Sequence, residues 1–324
     1  MLGALVAGSV VLAVSVGPVS IPLGETVRTL AGGRAGESAA VIEQIRLPRV
    51  LVGLFVGSAL GVAGAVMQAL FRNPLAEPGV LGVSSGAAVA AVTAIASGAT
   101  AVGAWVLPLA AFLGALGALA LVYGVASVRR DRSVSTLLLV GVALSALFGA
   151  VVSAVVTNAP DSDSLRGVVF WLNGDLVART WEHVWIVAVP VSMATIAVLA
   201  FARDLNVMLL GEAQAQAGGV GVVRVRRSLL VLSAVLTGAA VSVAGVIGFV
   251  GLVVPHLLRL VLGPDHRLLL PGSALLGGAF LVLADIVART LFSPVALQTG
   301  TVTALLGAPV FLVLVLRRRR VAQA

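Results

Sequence analysis

The chain has no cysteine and no lysine; all 21 of its basic residues are arginine. Without cysteine there is no disulfide and no thiolate metal ligand, and cysteine usage says nothing of the redox compartment. Without lysine there is no Walker A phosphate clamp and no Schiff-base chemistry, so the chain does not hydrolyse ATP through such a loop. Charge is scarce as well. Charged residues make up 10% and hydrophobic residues 60% of the 324 positions, where a soluble domain carries about 25% charged residues. With a mean hydropathy of +1.13, lipid is the main solvent. The period-2 alternation of barrel strands is also missing. Lipid cannot satisfy exposed backbone groups, so the spans are expected to be helices.

A spanning helix takes about 20 apolar residues. The hydrophobic runs predict ten spans, at about 2–19, 48–70, 80–97, 104–128, 136–157, 181–202, 228–247, 248–262, 268–288 and 302–316. All belong to one membrane domain covering 1–324. The first run lacks a charged n-region and an A-x-A cleavage site, so it reads as a span and not a signal peptide. It also lacks a basic flank, which raises the expectation of an earlier start. Segments 21–44, 158–180 and 203–227 read as polar connections.

The net charge of +8 does not indicate a nucleic-acid partner. The arginines sit in short loops between apolar runs, where they set orientation, because cytoplasmic loops are enriched in basic residues. With both termini inside, fourteen arginines fall on the inner side (72, 129, 130, 132, 203, 224, 226, 227, 259, 267 and 317–320) and seven on the outer side (28, 34, 46, 49, 166, 179 and 289). The inverted topology would place the densest clusters outside.

Small residues recur at four-residue spacing: Gly53, Gly57 and Gly61 in the second span, Gly141, Ser145, Gly149 and Ser153 in the fifth. Such stripes let helices approach closely in lipid. Two roles fit them, packing within one bundle and contact between subunits. Asp285 and Arg289 lie four residues apart, on one helix face. An ionisable group in a bilayer normally faces protein or water; an ion pair and a proton relay are the two readings. The histidines at 183, 256 and 266 form no H-E-x-x-H pattern, and no metal site is expected.

Several segments carry more than composition. Residues 46–86 begin with Arg46 and Arg49 around Pro48, run through the glycine stripe to Gln68, break at Asn73-Pro74-Leu75 with Glu77, and restart at Pro78-Gly79. The segment 205–222 is too long for a turn and too polar to span. It predicts a short helix, a turn at Gly218-Gly219 and a second short helix, with a small-residue surface suited to docking. In 244–267, glycines and Pro255 predict a broken or tightly packed helix.

Together these segments resemble the FecCD-type permeases of bacterial ABC importers for ferric siderophores, haem and vitamin B12. The resemblance rests on Asn73-Pro74-Leu75 with Glu77-Pro78, on Leu210, Gly211, Glu212, Ala215, Gly219 and Val220, and on Gly245, Ile247, Gly248, Phe249, Gly251, Leu252, Pro255, His256 and Arg259. It covers about 17–316. Two departures stand out. Gly218 occupies a position that is usually leucine. Ala296 and Gln298 replace the glutamate and proline of an outer turn that reads Glu-Leu-Pro-x-Gly-x-x-Thr-Ala in the family.

The resemblance implies an all-α integral membrane protein of the type II ABC importer permease architecture, in the bacterial cytoplasmic membrane. It implies a second permease subunit, identical or related, with the fifth span near their seam. It also implies an ABC ATPase dimer seated on 205–222 and an extracytoplasmic binding protein docked by acidic patches. Arg46, Arg49 and Arg289 are the expected docking charges, with snorkelling anchorage as the alternative. ATP and magnesium belong to the partner ATPase; no cofactor is expected on this chain. A ferric siderophore is the expected cargo, with vitamin B12 or haem next. A secondary transporter would need carboxylates or broken-helix ion sites at mid-depth, and Asp285 is the one candidate. An intramembrane enzyme would need a Ser/His, His/Asp or metal cluster, and none is found in the sequence.

Overall fold

A computed structural model describes residues 1–17, 21–33, 38–128, 134–159, 161–293 and 295–321, with no side-chain description at 128, 134 and 313–321. Arg34, Arg129, Arg130 and Arg132 therefore lie outside the described residues, as do the side chains of the terminal arginine run. Among the described residues the chain is all-helical, without a strand. The helices are α1 (Leu2–Ser15), α2 (Leu23–Leu30), α3 (Ser38–Val41), α4 (Leu47–Leu70), α5 (Val83–Ala96), α6 (Val106–Val128), α7 (Val134–Thr157), α8 (Ser162–Leu172), α9 (Trp181–Ala200), α10 (Ala202–Met208), α11 (Glu212–Ala217), α12 (Val222–Ala244), α13 (Val250–Leu262), α14 (His266–Thr290) and α15 (Thr299–Val321). Six helical stretches are long and apolar enough to cross a membrane; four shorter apolar helices, α1, α5, α13 and the start of α15, coincide with the other predicted spans.

The rod containing α4 is the axis of the bundle. It runs without interruption from Ser38 to Leu70 and is largely buried, enclosed by α14, α12, α13 and α9. Glycine makes this possible. A Cβ on Gly57 would overlap the carbonyl of Gly277, one on Gly61 that of Ser273, and one on Gly64 that of Gly251. Backbone meets backbone here, as expected where packing drives helix association in lipid. The stripe on α4 is thus internal packing against α14 and α13. The stripe on α7 is divided. Gly141 abuts the backbone of Val80 and Leu81, and Ser145 lies beside Gly82, but Gly149 has open space where its Cβ would be and Ser153 is exposed. Only 6% of the apolar α7 window is buried within this chain.

Three sequence expectations about elements change. The connection 158–180 contains α8, an amphipathic helix whose N-cap Asp161 accepts from the amides of Asp163 and Ser164 at 3.0 and 2.7 Å. Its apolar side, through Val168 and Trp171, is buried, a periodicity masked by the flanking acids. The second short helix expected after Gly218-Gly219 does not form separately. The chain enters α12 at Val222, because arginine is a good helix former and Val222 and Val225 are buried beside Arg224, Arg226 and Arg227. The break between the seventh and eighth spans lies at 245–249, not between 247 and 248.

Candidate functional site

The two ends of the bundle carry different polar chemistry. At the end bearing α8, three helices, α4, α14 and α15, converge on one carboxylate. Asp285 of α14 is 3% exposed. It accepts from Arg49 Nη2 at 2.8 Å and Nε at 3.0 Å, and from Thr299 Oγ1 at 2.9 Å. Arg289 Nε lies 3.2 Å away in charge contact, without hydrogen-bond alignment. Two of the arginines also hold the end of α1. Arg46 Nη1 donates to the carbonyls of Val14 and Ser15 at 2.6 and 3.0 Å, and Arg289 Nη2 donates to that of Ala13 at 3.0 Å. The last carbonyls of a helix have no partner within it and carry its negative dipole end, so buried guanidinium groups suit them.

The expected docking charges Arg46, Arg49 and Arg289 all have partners within the chain. They are not free charges on a rim. Arg46 and Arg289 are buried, and Arg49 is locked to Asp285. The i,i+4 pairing of Asp285 with Arg289 appears as the spacing predicted, but with Arg49 as the stronger, two-pronged partner. The nearby turn that departs from the family pattern is stitched down by its backbone. The Leu297 amide donates to Ala288 O at 2.9 Å and the Gly300 amide to Gly174 O at 3.0 Å.

At the opposite end, two motifs far apart in sequence meet. Gln68, near the end of α4, donates to the carbonyls of Gly251 and Leu252 at 3.3 and 3.1 Å and accepts from Arg259 Nη1 at 2.9 Å. The turn at Asn73 and Pro74 closes with the Asn73 side chain accepting from the Leu75 amide at 3.0 Å. It then brings Pro78 against Gly251. Gly248 and Phe249 form the break before α13, and Phe249 sits at φ 69, a left-handed conformation rare for a bulky residue. Gly307 of α15 leaves room for its ring. Pro255 lies inside α13 and is buried, and His256 follows it, half-buried. The signature residues are therefore one packed joint between α4 and α13.

Glu77 belongs to this joint. Burial pushes its carboxyl above the usual 4.5, opposed by a hydrogen bond from the Phe249 amide. A raised carboxyl pKa means that the folded protein holds the proton more tightly than the unfolded chain. Stability is then full below about 4.5 and falls as pH rises through the raised value. Glu77→Gln keeps an acceptor for Phe249 and removes the charge. It is expected to raise the thermal midpoint at neutral pH and to flatten its decline with pH, as read by unfolding scans of detergent-purified protein from pH 4 to 8. A parallel decline in both proteins would refute the assignment.

The segment 202–221 crosses this same end. Gly211 at φ 130 and Gly219 at φ 84 make its two turns. Gly218 is not in the left-handed region, so the usual leucine could stand there without changing the turn. The six expected coupling residues divide by role. Leu210 is 71% exposed and Glu212 is half-exposed, whereas Ala215 is fully buried and Val220 packs against the core. Glu212 pairs with Arg226 of α12.

Four further residues, to which the sequence assigned no such role, tie this segment to the bundle. Arg72 Nη2 donates to the carbonyl of Met208 at 2.8 Å. Asn206 Nδ2 donates to Asp265 Oδ1 at 2.6 Å, and Asn206 Oδ1 accepts from the His266 amide at 2.9 Å. The end of α4 and the start of α14 are thus both fastened to α10. Asp265 before an apolar run is an N-cap signal legible in sequence; nothing local marks Asn206 or Arg72. Among the described residues, no group of histidines and carboxylates is placed to hold a metal ion.

A closely packed bundle of long apolar helices with a short-helix element clamped across one end is the architecture of a polytopic membrane protein. The chain belongs to the FecCD transport family, whose profile matches residues 5–317, and it is a multi-pass protein of the cytoplasmic membrane. It is 50% identical over 282 residues to the cobalamin import system permease of Halobacterium salinarum, covering 87% of this chain and 74% of that one. It is 44% identical over 284 residues to the hemin transport system permease of Yersinia pestis, covering 85% and 83%. The solved structure of a metal-chelate type ABC transporter in an inward-facing conformation matches with a TM-score of 0.87 at 34% identity, covering 98% of this chain and 97% of that chain.

Proposed function

We propose that this chain forms, with a second permease subunit, the membrane pathway of an importer driven by two separate ATPase subunits. It crosses the membrane about ten times with both termini in the cytoplasm, so the α10–α11 end faces the ATPases and the α8 end faces a soluble binding protein. The observation that carries this reading is the clamp of α10 onto α4 and α14. Interfaces packed backbone to backbone move as rigid bodies and not by continuous deformation. A displacement of α10 and α11 by an ATPase is passed through Arg72 and Asn206 to the two central helices, which shift together and alternate access. ATP and magnesium stay on the ATPase. At the other end, the buried arginines shape the surface that meets the binding protein by fixing α1, α4 and α14.

The cargo proposed is a metal-centred tetrapyrrole macrocycle, cobalamin first and haem second. The similar permeases named for cobalamin and hemin support this class. A ferric siderophore is the second reading, favoured by the metal-chelate type transporter whose fold this chain shares. Uptake of labelled cobalamin, haem and ferric siderophores, with and without the gene, separates them. Loss of cobalamin or haem uptake alone supports the macrocycle; loss of siderophore uptake alone overturns it.

Glu212 tests the coupling. Glu212 is half-exposed, so water screens its pair with Arg226, whose side chain is 14% exposed, and the pair contributes about 1 kcal/mol to stability. Glu212→Arg is therefore expected to fold normally, lose copurifying ATPase and lose uptake. The swap Glu212→Arg with Arg226→Glu restores the internal pair. If the swap recovers transport, the role is internal; continued loss of ATPase binding places it at the docking surface.

A further inference from the structure

A cavity of roughly 430 Å3 lies at the α10–α11 end, between α4, α13 and the start of α14. Gln68, Arg72, His256, Arg259 and His266 line it, and none of its described lining residues is a carboxylate. Leu260, also in its wall, is 68% exposed on the face of α13 turned away from the bundle. Guanidinium groups beside an exposed apolar face mark the level where lipid tails meet headgroups, and basic pockets between spans at that level suit anionic lipids.

His266 adds a second requirement. It is 1% exposed, and Asn206 Oδ1 lies 2.9 Å from its Nδ1. The bond from Asn206 Nδ2 to Asp265 fixes the amide so that its oxygen faces the imidazole. Nδ1 therefore carries the proton and Nε2 is an acceptor. That Nε2 is buried and has no protein partner, an arrangement that costs free energy unless a donor arrives. Arg72 and Arg259 each spend one hydrogen bond on the protein, to Met208 O and to Gln68 Oε1, out of five donors per guanidinium. The cavity thus offers several donors for an anion and one acceptor for a hydroxyl.

We propose that this cavity binds the headgroup of an anionic phospholipid that also bears a hydroxyl. Its phosphodiester meets Arg72 and Arg259, and its hydroxyl donates to His266 Nε2. Phosphatidylglycerol is the simplest lipid with both features. The orientation proposed above places the site in the cytoplasmic leaflet. Binding in detergent does not depend on that orientation, so the two readings fail separately.

The test is lipid retention by delipidated permease, alone and with its ATPase bound, measured by native mass spectrometry. The probes are phosphatidylglycerol, phosphatidylmethanol (the same phosphodiester without hydroxyls), phosphatidylcholine and soluble glycerophosphoglycerol. Phosphatidylglycerol is expected to bind best and phosphatidylcholine least. Arg259→Gln and Arg72→Gln each weaken phosphatidylglycerol about tenfold or more, the size of one lost charge-assisted hydrogen bond. His266→Phe removes the preference over phosphatidylmethanol. Should that variant not fold, Arg72→Gln, on an exposed turn residue, carries the test. Equal retention of phosphatidylcholine overturns the proposal. Equal affinity for the chain-free headgroup overturns the lipid source, and expulsion of lipid when the ATPase docks assigns the cavity to that interface instead.

Discussion

Replacing Gly57 with leucine is expected to abolish transport and to leave little folded protein. A Cβ at this position overlaps the carbonyl of Gly277, and the next glycines along α4 meet Ser273 and Gly251 in the same way. Overpacking a core costs about 1–3 kcal/mol when side chains can turn aside. Here the obstacle is backbone, which has no alternative rotamer, so α4 and α14 must separate along their length. Domain stabilities are only about 5–15 kcal/mol. The yield of monodisperse protein in detergent and the uptake rate check this. Gly149→Leu on α7 is the control, because nothing lies within 4 Å of a Cβ there. It is expected to preserve the isolated fold; if it abolishes uptake, that face of α7 meets another subunit. Wild-type yield and uptake in Gly57→Leu would show that the packing does not hold the bundle together.

Asp285→Ala is expected to destabilise the protein by about 3–5 kcal/mol, the cost of leaving a buried ion partner uncompensated. The substitution strands two guanidinium groups together. Arg49 loses both of its contacts to the carboxylate and Arg289 its counter-charge, while Thr299 loses its acceptor. The damage should spread to α1, whose last turn depends on Arg289 through Ala13. Thermal unfolding and limited proteolysis near residue 15 measure both effects. The triple variant Asp285→Ala, Arg49→Met, Arg289→Leu removes the stranded charges and is expected to recover much of the stability, since replacing a buried ion cluster with apolar residues is often neutral. Full transport by Asp285→Ala alone would leave the cluster without a structural role. Recovery of stability without recovery of uptake would locate a transport role in the same charges.

The sequence was informative where one physical rule dominates. Lipid excludes charge, so long apolar runs had to be helices, and the runs appear as helices near the expected positions. Gly57 and Gly61 repeat on one face because only glycine permits the approach, and that face is buried as the spacing implied. Asp285 and Arg289 were readable as a pair because four residues make one helical turn. The amphipathic α8 and the unbroken entry into α12 were less legible. Polar and charged residues look alike whether they lie in a loop or on the exposed side of a helix.

The tertiary structure decided what each polar side chain faces. Arg46, Arg49 and Arg289 read as exposed charges because they flank apolar runs. Yet they close on Asp285 and on the carbonyl end of α1; Arg49 and Arg289 find partners more than two hundred residues away along the chain, and Arg46 one 32 residues away. The joint between the Asn73–Pro78 turn and the Gly248–Arg259 segment exists only because α4 and α13 pack side by side. Helical propensity, hydropathy and local spacing are properties of neighbours in sequence, so composition and order fixed the class and the spans. Ion pairing, helix capping and the clamp of α10 onto α4 and α14 depend on which surfaces packing brings together. No local signal records that.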